Sequence, residues 1–313
     1  MEFNDIMVIA EKMANGKINS ANADAKKAQN IIAEMMKTED GRVQLAEIIE
    51  VSLVDAYNKF DLAPYIFDKK HFDYGDKPVF KTHKKGIKAY WSAPNSYIPK
   101  SENYSTEITM TFESLGVRPT ALFSDLKTGR LDSLASLVAD GQEALINALY
   151  EKVYKVLAQT YNATKNTDNF ATTNALNKDT LEKAINHVRK KVGGNPVIIG
   201  DFDLCTIIET FDGYSDNLHV QDEIRQNGYL GTYKGCPLYY IPEVLDPVTQ
   251  KSIVPTDKLF VVGRKIGNMA DYGTPDTLQE TNVDDKSWSS RTDMEVGFVV
   301  TKPEGLFVIE VTD

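Results

Sequence analysis

The residues best suited to chemistry in this chain are two pairs of aspartates. The stretch "PVIIGDFD" closes an apolar, strand-prone run with Asp201 and Asp203, and "VDD" at 283–285 adds Asp284 and Asp285. Carboxylates can attack, exchange protons or hold magnesium. A carboxylate at the start of a helix can equally do no more than accept the unpaired N–H groups of the first turn, a contribution of ~1 kcal/mol. The four histidines, His71, His83, His187 and His219, show no HExxH or other ligand spacing. There is no phosphate-cradling GxxxxGK[ST] loop, "GYLGTYKG" (228–235) lacks dinucleotide spacing, and no GxSxG elbow occurs. The expectation is no catalytic residue, no cofactor and no metal.

The strand-end pair loosely resembles the haloacid-dehalogenase phosphotransferases, in which a DxD motif supplies nucleophile and acid/base and further aspartates hold magnesium. Cys205 stands where that family has Thr or Val, and no repeated βα units separate 201–203 from 284–285. Capping of the helix "LCTIIETF" by Asp201 or Asp203 is the simpler reading. A magnesium-dependent phosphotransferase using Asp201 and Asp203 stands as one alternative.

A second chemistry is recognition. Between residues 69 and 100, eight lysines face two aspartates in a chain whose net charge is −10. Lys81, Lys84, Lys85 and Lys88 interleave there with Tyr90, Trp91 and Tyr97, a pattern that could take nucleic acid by charge and stacking. The other candidate partner is the chain itself, because residues 268–313 hold ten acids against three bases. Pairing of such segments between copies would set encounter and register more than affinity. The overall acidity argues against sequence-independent DNA binding, which needs a basic surface to displace counterions. It is compatible with a surface that faces DNA without gripping it.

With 313 residues, 42% hydrophobic and 26% charged, the chain has the composition of one large or two moderate globular domains. No apolar run reaches the ~18–20 residues of a membrane helix. The N-terminus places acids before a short apolar patch, the reverse of a secretory signal. Two cysteines, Cys205 and Cys236, without CxxC spacing, fit a reducing cytoplasm. There is no internal repeat and no low-complexity segment.

Residues 1–60 read as two or three helices, with Val43, Ile48, Val51, Val54 and Tyr57 forming one apolar face. Residues 61–115 turn strand-like. In "STEITMTFESL", Ile108, Met110 and Phe112 share one side, and "SAPNSYIPKSENY" supplies a broad turn. The pattern predicts a long two-stranded excursion that must lie on another surface, since an isolated hairpin is marginal in water. Residues 130–162 form the clearest helix, about 50 Å long at 1.5 Å per residue, with a bend possible at Gly141. A polar loop (162–177), a helix at 178–191, the strand "PVIIG", helices "DLCTIIETF" and "LHVQDEIRQNG", and strands "CPLYYIPEV" and "KLFVVG" make a mixed α/β unit. Two further strands flank a tight "KPEG" turn.

This order resembles the major capsid proteins of tailed bacteriophages, whose fold is shared with encapsulins. "YLGTYKGCPLYYIPEV", "KLFVVGRKIGNMADYGTPDTLQE" and "WSSRTDMEVGFVVTKPEGLFVIEV" are similar to strand patterns of that family. The resemblance implies an α+β fold divided into an N-terminal helical arm (1–60), an extended β-hairpin loop (61–115), a peripheral domain with the spine helix (116–165 and 263–313) and a mixed α/β axial domain (166–262). It implies a structural, non-enzymatic protein that self-assembles as hexamers and pentamers into an icosahedral phage head around double-stranded DNA, without sequence-specific binding. The expected place is the virion, assembled in the host bacterial cytoplasm, with scaffolding, portal and decoration proteins as further partners and no membrane. Lys81, Lys84, Lys85, Lys88, Tyr90, Trp91 and Tyr97 become subunit-contact candidates. Some relatives crosslink a loop lysine to a neighbour's asparagine, and no residue here matches that chemistry. Both chain ends are expected to be held by a neighbouring subunit, and the 60 residues before the loop are expected to hold neither a long fused scaffold nor a removed propeptide. An encapsulin-like compartment shell is the second alternative.

Overall fold

The computed structural model of the chain describes Ile6, Val8, Ile9, Lys12 and Lys17, and residues 22–60, 62–84, 86–89, 91, 97–164, 167–215, 229–241, 243, 252 and 256–312. Helices α1 (Ala23–Met35) and α2 (Glu39–Asn58) start on side-chain caps. Asn22 accepts from the Asp24 N–H and Thr38 from the Gly41 N–H. A one-turn helix α3 (Ala63–Ile66) leads into β1 (Phe67–Phe72), followed by β2 (Val79–Lys84), β3 (Tyr104–Thr109), β4 (Phe112–Val117) and β5 (Thr120–Leu122). After the short α4 (Phe123–Lys127) comes the dominant element, α5 (Leu131–Thr160), 30 residues without interruption. It is ~45 Å long. Then follow β6 (Phe170–Thr173), α6 (Lys178–Val192), β7 (Val197–Gly200), α7 (Phe202–Glu209), β8 (Tyr214–Ser215), β9 (Tyr229–Tyr233), β10 (Cys236–Tyr240), β11 (Lys258–Val262), β12 (Gly267–Asn282), β13 (Ser287–Val300) and β14 (Leu306–Val311).

Among the described residues the strands form three sheets. A mixed sheet has the order β6-β14-β11-β7-β10-β9-β8, a second runs β1-β12-β13-β4 with β5 also on β13, and β2 and β3 make a two-stranded ribbon. Helix α5 lies against both large sheets. Its buried Leu131, Leu134, Val138, Leu145, Leu149, Val153 and Leu157 share one core with Met294, Val296 and Trp288 of β13 and with Phe260, Val262 and Val308 of the mixed sheet. Tyr154 makes the link concrete: its ring meets Phe260 edge-on with centroids 5.1 Å apart, a separation usual for aromatic pairs. The other face of the mixed sheet is covered by α6 and α7 through Leu181, Ile185, Val188, Leu204 and Ile208. With both faces covered, β7 reads as an unbroken apolar run rather than an alternating one.

Helix α5 stays helical through Gly141, where a bend was possible. A Cβ at that position would meet Leu53 Cδ2 of α2 at 3.4 Å, an ordinary van der Waals contact. The apolar face expected on α2 needs correction. Ile48 and Tyr57 are buried and Val54 is half-buried as expected, but Val43 and Val51 are exposed, and the buried face is completed by Gly41, Leu45, Ala46, Ile49 and Leu53. That face is buried within the same chain, and Gln142 of α5 donates to the Ser52 carbonyl at 2.9 Å. "STEITMTFESL" is split between β3 and β4 in different sheets. The polar loop 162–177 contains β6, a short edge strand parallel to β14. The "KPEG" turn does not close a hairpin. It carries the chain from β13 in one sheet to β14 in the other, beside the reverse crossing from β11 to β12, and the Gly263 N–H donates to the Gly305 carbonyl at 2.7 Å. Whereas chain order groups 263–313 together, Leu306–Ile309 are buried in the mixed sheet. The expected helix at 218–228 and the chain ends Met1 and Asp313 lie outside the described residues.

The ribbon leaves the body at a built root. Phe80, Met110 and Ala270 form a small buried cluster with Phe72, Phe112 and Val299 around it. β1 pairs with β12 from Phe67↔Gly267 to Phe72↔Tyr272, and in that ladder His71 Nδ1 bonds the Asp271 carboxylate while its Nε2 lies 3.4 Å from Asp73. The hydrogen bond to Asp271 is the largest cause that raises the His71 pKa above its ordinary 6.5, with Asp73 adding to it. A raised folded value means this contribution is complete below the unfolded pKa and fades as pH climbs through the folded one. A His71→Gln variant should therefore melt below the parent by a larger margin near about pH 5.5 than near about pH 9; an equal margin at both would remove the rung from the account. For α5, Val153→Pro should cost ~3 kcal/mol or more and abolish soluble subunit, read as yield and far-ultraviolet helicity.

Candidate intersubunit surface

The two-stranded ribbon is where the recognition residues meet. β2 and β3 pair antiparallel from Val79↔Thr109 to Lys84↔Tyr104, and beyond them the strands stay tied by side chains, the Gly86 N–H donating to Asn103 Oδ1 at 3.0 Å and the Lys88 N–H to Ser101 Oγ at 3.2 Å. The alternation that makes these strands also leaves them uncovered: β3 is exposed at every position except the half-buried Ile108. Trp91 is 105% exposed and Tyr97 81% exposed. Such exposure of large rings is the reverse of what a lone soluble chain favours.

The expected contact residues are placed unequally. Lys81 is exposed and pairs with Glu107 across the ribbon at 3.3 Å, so its charge is partly answered within its own chain. Lys88, Trp91 and Tyr97 are exposed on the excursion. Lys84 contributes backbone to β2, while its side chain, Lys85 and Tyr90 lie outside the described residues. Three exposed apolar residues escaped the sequence reading: Ile87, Ile98 and Tyr104. Their signal was present, since each is a large apolar residue among polar neighbours with no partner period. Two of the eight lysines serve the root instead. Lys69 stands over the Tyr57 ring at 3.9 Å and Lys70 over Phe80 at 4.8 Å, distances at which a cation is attracted to a ring face.

The described acids of the acidic C-terminal segment lie on β12, β13 and β14 and in the turns between them. Asp271 is engaged by His71, Glu280 by Arg118 at 2.5 Å, Asp293 by Arg291 at 2.6 Å and Glu310 by Lys258 at 2.7 Å. Among the described residues Asp276, Asp284 and Glu295 have no ion-pair partner. Beside α5 a groove of about 230 Å³ is lined by Leu115, Ala148, Val296 and Phe298 with Glu113, Glu151 and Lys152 at its rim.

The aspartate pairs do not converge. Asp201 ends β7 and caps α7, accepting from the Asp203 N–H at 3.0 Å. Asp285 sits in the turn between β12 and β13 and accepts from the Ser287 N–H at 2.9 Å, in the other large sheet. That hydrogen bonding is why the Asp285 carboxyl is held below its ordinary value. Cys205 is fully buried, and burial pushes its thiol well up. Among the described residues no group of three or more His, Cys, Asp or Glu is arranged to hold a metal ion.

The sequence matches, over residues 3–307, the family model described as "SPbeta prophage-derived putative capsid protein YonB". Among solved structures, the capsid of an empty GTA particle is similar at TM-score 0.54 and 11% identity, over 79% of this chain and 88% of that one. A chain of Gordonia phage Cozz is similar at 0.53 and 14%, over 79% and 85%. The capsid of cyanophage P-SCSP1u is similar at 0.53 and 10%, over 78% and 86%. No curated protein matches the sequence. At these identities the structural likeness speaks to the fold, while the family match spans nearly the whole chain. The capping role of Asp201, the uncovered ribbon and the family match agree on a structural rather than a catalytic protein, and the chain belongs to the YonB family of phage capsid proteins, with the α+β major-capsid fold.

Proposed function

We propose that copies of this chain assemble as hexamers and pentamers of a closed icosahedral phage head enclosing double-stranded DNA, with each ribbon laid on a neighbouring copy. The observation that carries this is the ribbon itself: a basic, two-stranded element whose Trp91, Tyr97, Ile87 and Ile98 are exposed. Large aromatics dominate interface energies, and many small contacts in a closed shell reinforce one another. The five-stranded sheet with α5 serves as the peripheral domain and the mixed sheet with α6 and α7 as the axial one. Assembly takes place in the host bacterial cytoplasm, and scaffolding, portal and decoration proteins are the further partners to expect. DNA is held by enclosure, because a chain of net charge −10 lacks the basic surface for counterion-driven binding.

The direct test is electron microscopy of the purified chain, which should show shells or capsomers. Only dispersed monomers at high concentration would refute the proposal. Nuclease-protected DNA in native particles separates a phage head from an encapsulin-like cargo shell. Within assembling material, Trp91→Ala should remove about 2 kcal/mol or more per contact and raise the concentration needed for assembly at least roughly tenfold. Replacing Lys84, Lys85 and Lys88 by Glu should hinder assembly at low salt and much less at high salt, as exposed charges are screened within about 8–10 Å near physiological ionic strength. Identical assembly of triple variant and parent at low salt would leave the lysines with no role.

A further inference from the structure

The turn that leads from β1 into the ribbon is held by one imidazole set between two carboxylates. His71 of β1 bonds the Asp271 carboxylate of β12 through Nδ1, and its Nε2 lies 3.4 Å from Asp73 Oδ1. Asp73 opens the turn that precedes β2. Its N–H donates to Asp76 Oδ2 at 3.2 Å and its carbonyl accepts from the Asp76 N–H at 3.1 Å. Just beyond, the Tyr74 ring packs where a Cβ of Gly273 would be, and that glycine stands at φ +70. The Tyr74 hydroxyl donates to the Thr274 carbonyl at 3.3 Å, and the Gly75 N–H to the Tyr272 hydroxyl at 2.8 Å. The exit of the ribbon is thus tied to β12 by neutral contacts and by one link whose charge can change.

The other titratable groups around His71, among the described residues, come from three elements. Lys69 shares the strand face of His71 but turns toward α2, its ammonium 3.9 Å over the Tyr57 ring and 2.6 Å from Asn58 Oδ1. Tyr57 of α2 is buried, and burial first, then the charge of Asp271, holds its phenol neutral. Glu295 of β13 lies opposite Tyr272 at the exposed rim of the same pocket, about 180 Å³ in volume. The His71 side chain is 51% exposed, so it exchanges protons freely with solvent. Two carboxylates touch it, and no cation does.

We propose that His71 is a proton-operated latch on the ribbon: charged, it ties Asp73 and the turn ahead of β2 to β12, and neutral, it lets that turn go. An imidazolium has two N–H donors, one for each carboxylate, whereas a neutral imidazole has one donor and one acceptor. The Asp271 contact is the closer of the two and keeps the proton on Nδ1. Nε2 then points a lone pair at the Asp73 carboxylate, and an attraction becomes a repulsion. Because the Asp271 bond is the largest cause that raises the His71 pKa above 6.5, the latch is complete below the unfolded value and opens as pH climbs through the folded one. An exposed pair of this kind shifts a local equilibrium by up to about fivefold. The buried cluster of Phe80, Met110 and Ala270 stays in place throughout, so the latch changes how firmly the ribbon is aimed and leaves its origin fixed.

The test is hydrogen–deuterium exchange of the full chain as dilute, dispersed subunits at about pH 6 and about pH 9, with rates corrected for the intrinsic effect of pH. Protection of peptides from 72–82 should fall by up to about fivefold at the higher pH, while peptides from α5 hold theirs. Asp73→Asn should abolish the fall, because an amide can accept from imidazolium and donate to neutral imidazole; the Asp73 side chain is 88% exposed, so the substitution leaves the fold intact. His83→Gln, which removes the histidine of β2, should leave the fall unchanged. No fall in the parent, the same fall in Asp73→Asn, its loss in His83→Gln, or an equal fall in α5 would each overturn the latch. Single subunits give the reading, so it stands or falls apart from shell assembly.

Discussion

Everything in this subunit is arranged around a helix that must satisfy two sheets at once. The apolar stripe of α5 runs from Leu131 to Leu157, and its first part is buried under α2 and β13 while its last part meets Phe260 and Val308 of the mixed sheet. A single rigid element thereby fixes the spacing and orientation of both layers. Tyr154 supplies both an aromatic contact and a hydrogen bond to Asp257 at 3.4 Å. Close packing of this kind transmits displacement instead of absorbing it, so a force on one sheet is felt by the other.

Against that rigid body the ribbon has a firm root and an uncovered reach. The cluster of Phe80, Met110 and Ala270, the His71–Asp271 rung and the packing of Tyr74 on Gly273 fix where the excursion leaves the body and in which direction. Past Lys81 the large apolar side chains Ile87, Trp91, Tyr97, Ile98 and Tyr104 are exposed. In the proposed assembly this division would serve an element that reaches a neighbour, because an origin set in advance limits the ordering entropy lost on contact.

The parts of the fold that could be read from the sequence are those governed by local periodicity. The stripe of α5, the capping aspartate ahead of α7 and the apolar run of β7 each follow from residues close in sequence. What could not be read depends on partners distant in sequence. Val43 and Val51 fit a helical rhythm and are nonetheless exposed, since the neighbours α1, α5 and β12 decide which face of α2 is inside. β6 is too short and polar to announce itself and exists because β14 offers it an edge. The change of sheet at Pro303–Gly305 looks like a hairpin turn locally, and only the tertiary pairing of Leu306–Val311 separates the two. At the candidate surface the lysines and aromatics were legible from composition. The His71–Asp271 rung at its root was not, because its two residues lie 200 positions apart in the chain.

Both thiols of the chain are enclosed. Cys205 points toward the Tyr239 carbonyl and Cys236 lies against Arg189, and neither side chain reaches solvent. Burial also keeps each protonated by raising its pKa, and a buried, protonated thiol reacts slowly. The natural exterior is therefore silent toward maleimides, gold and other sulfur-seeking reagents. Any cysteine engineered onto the outside would become a unique chemical address, repeated once per subunit at a fixed spacing over whatever lattice the copies make.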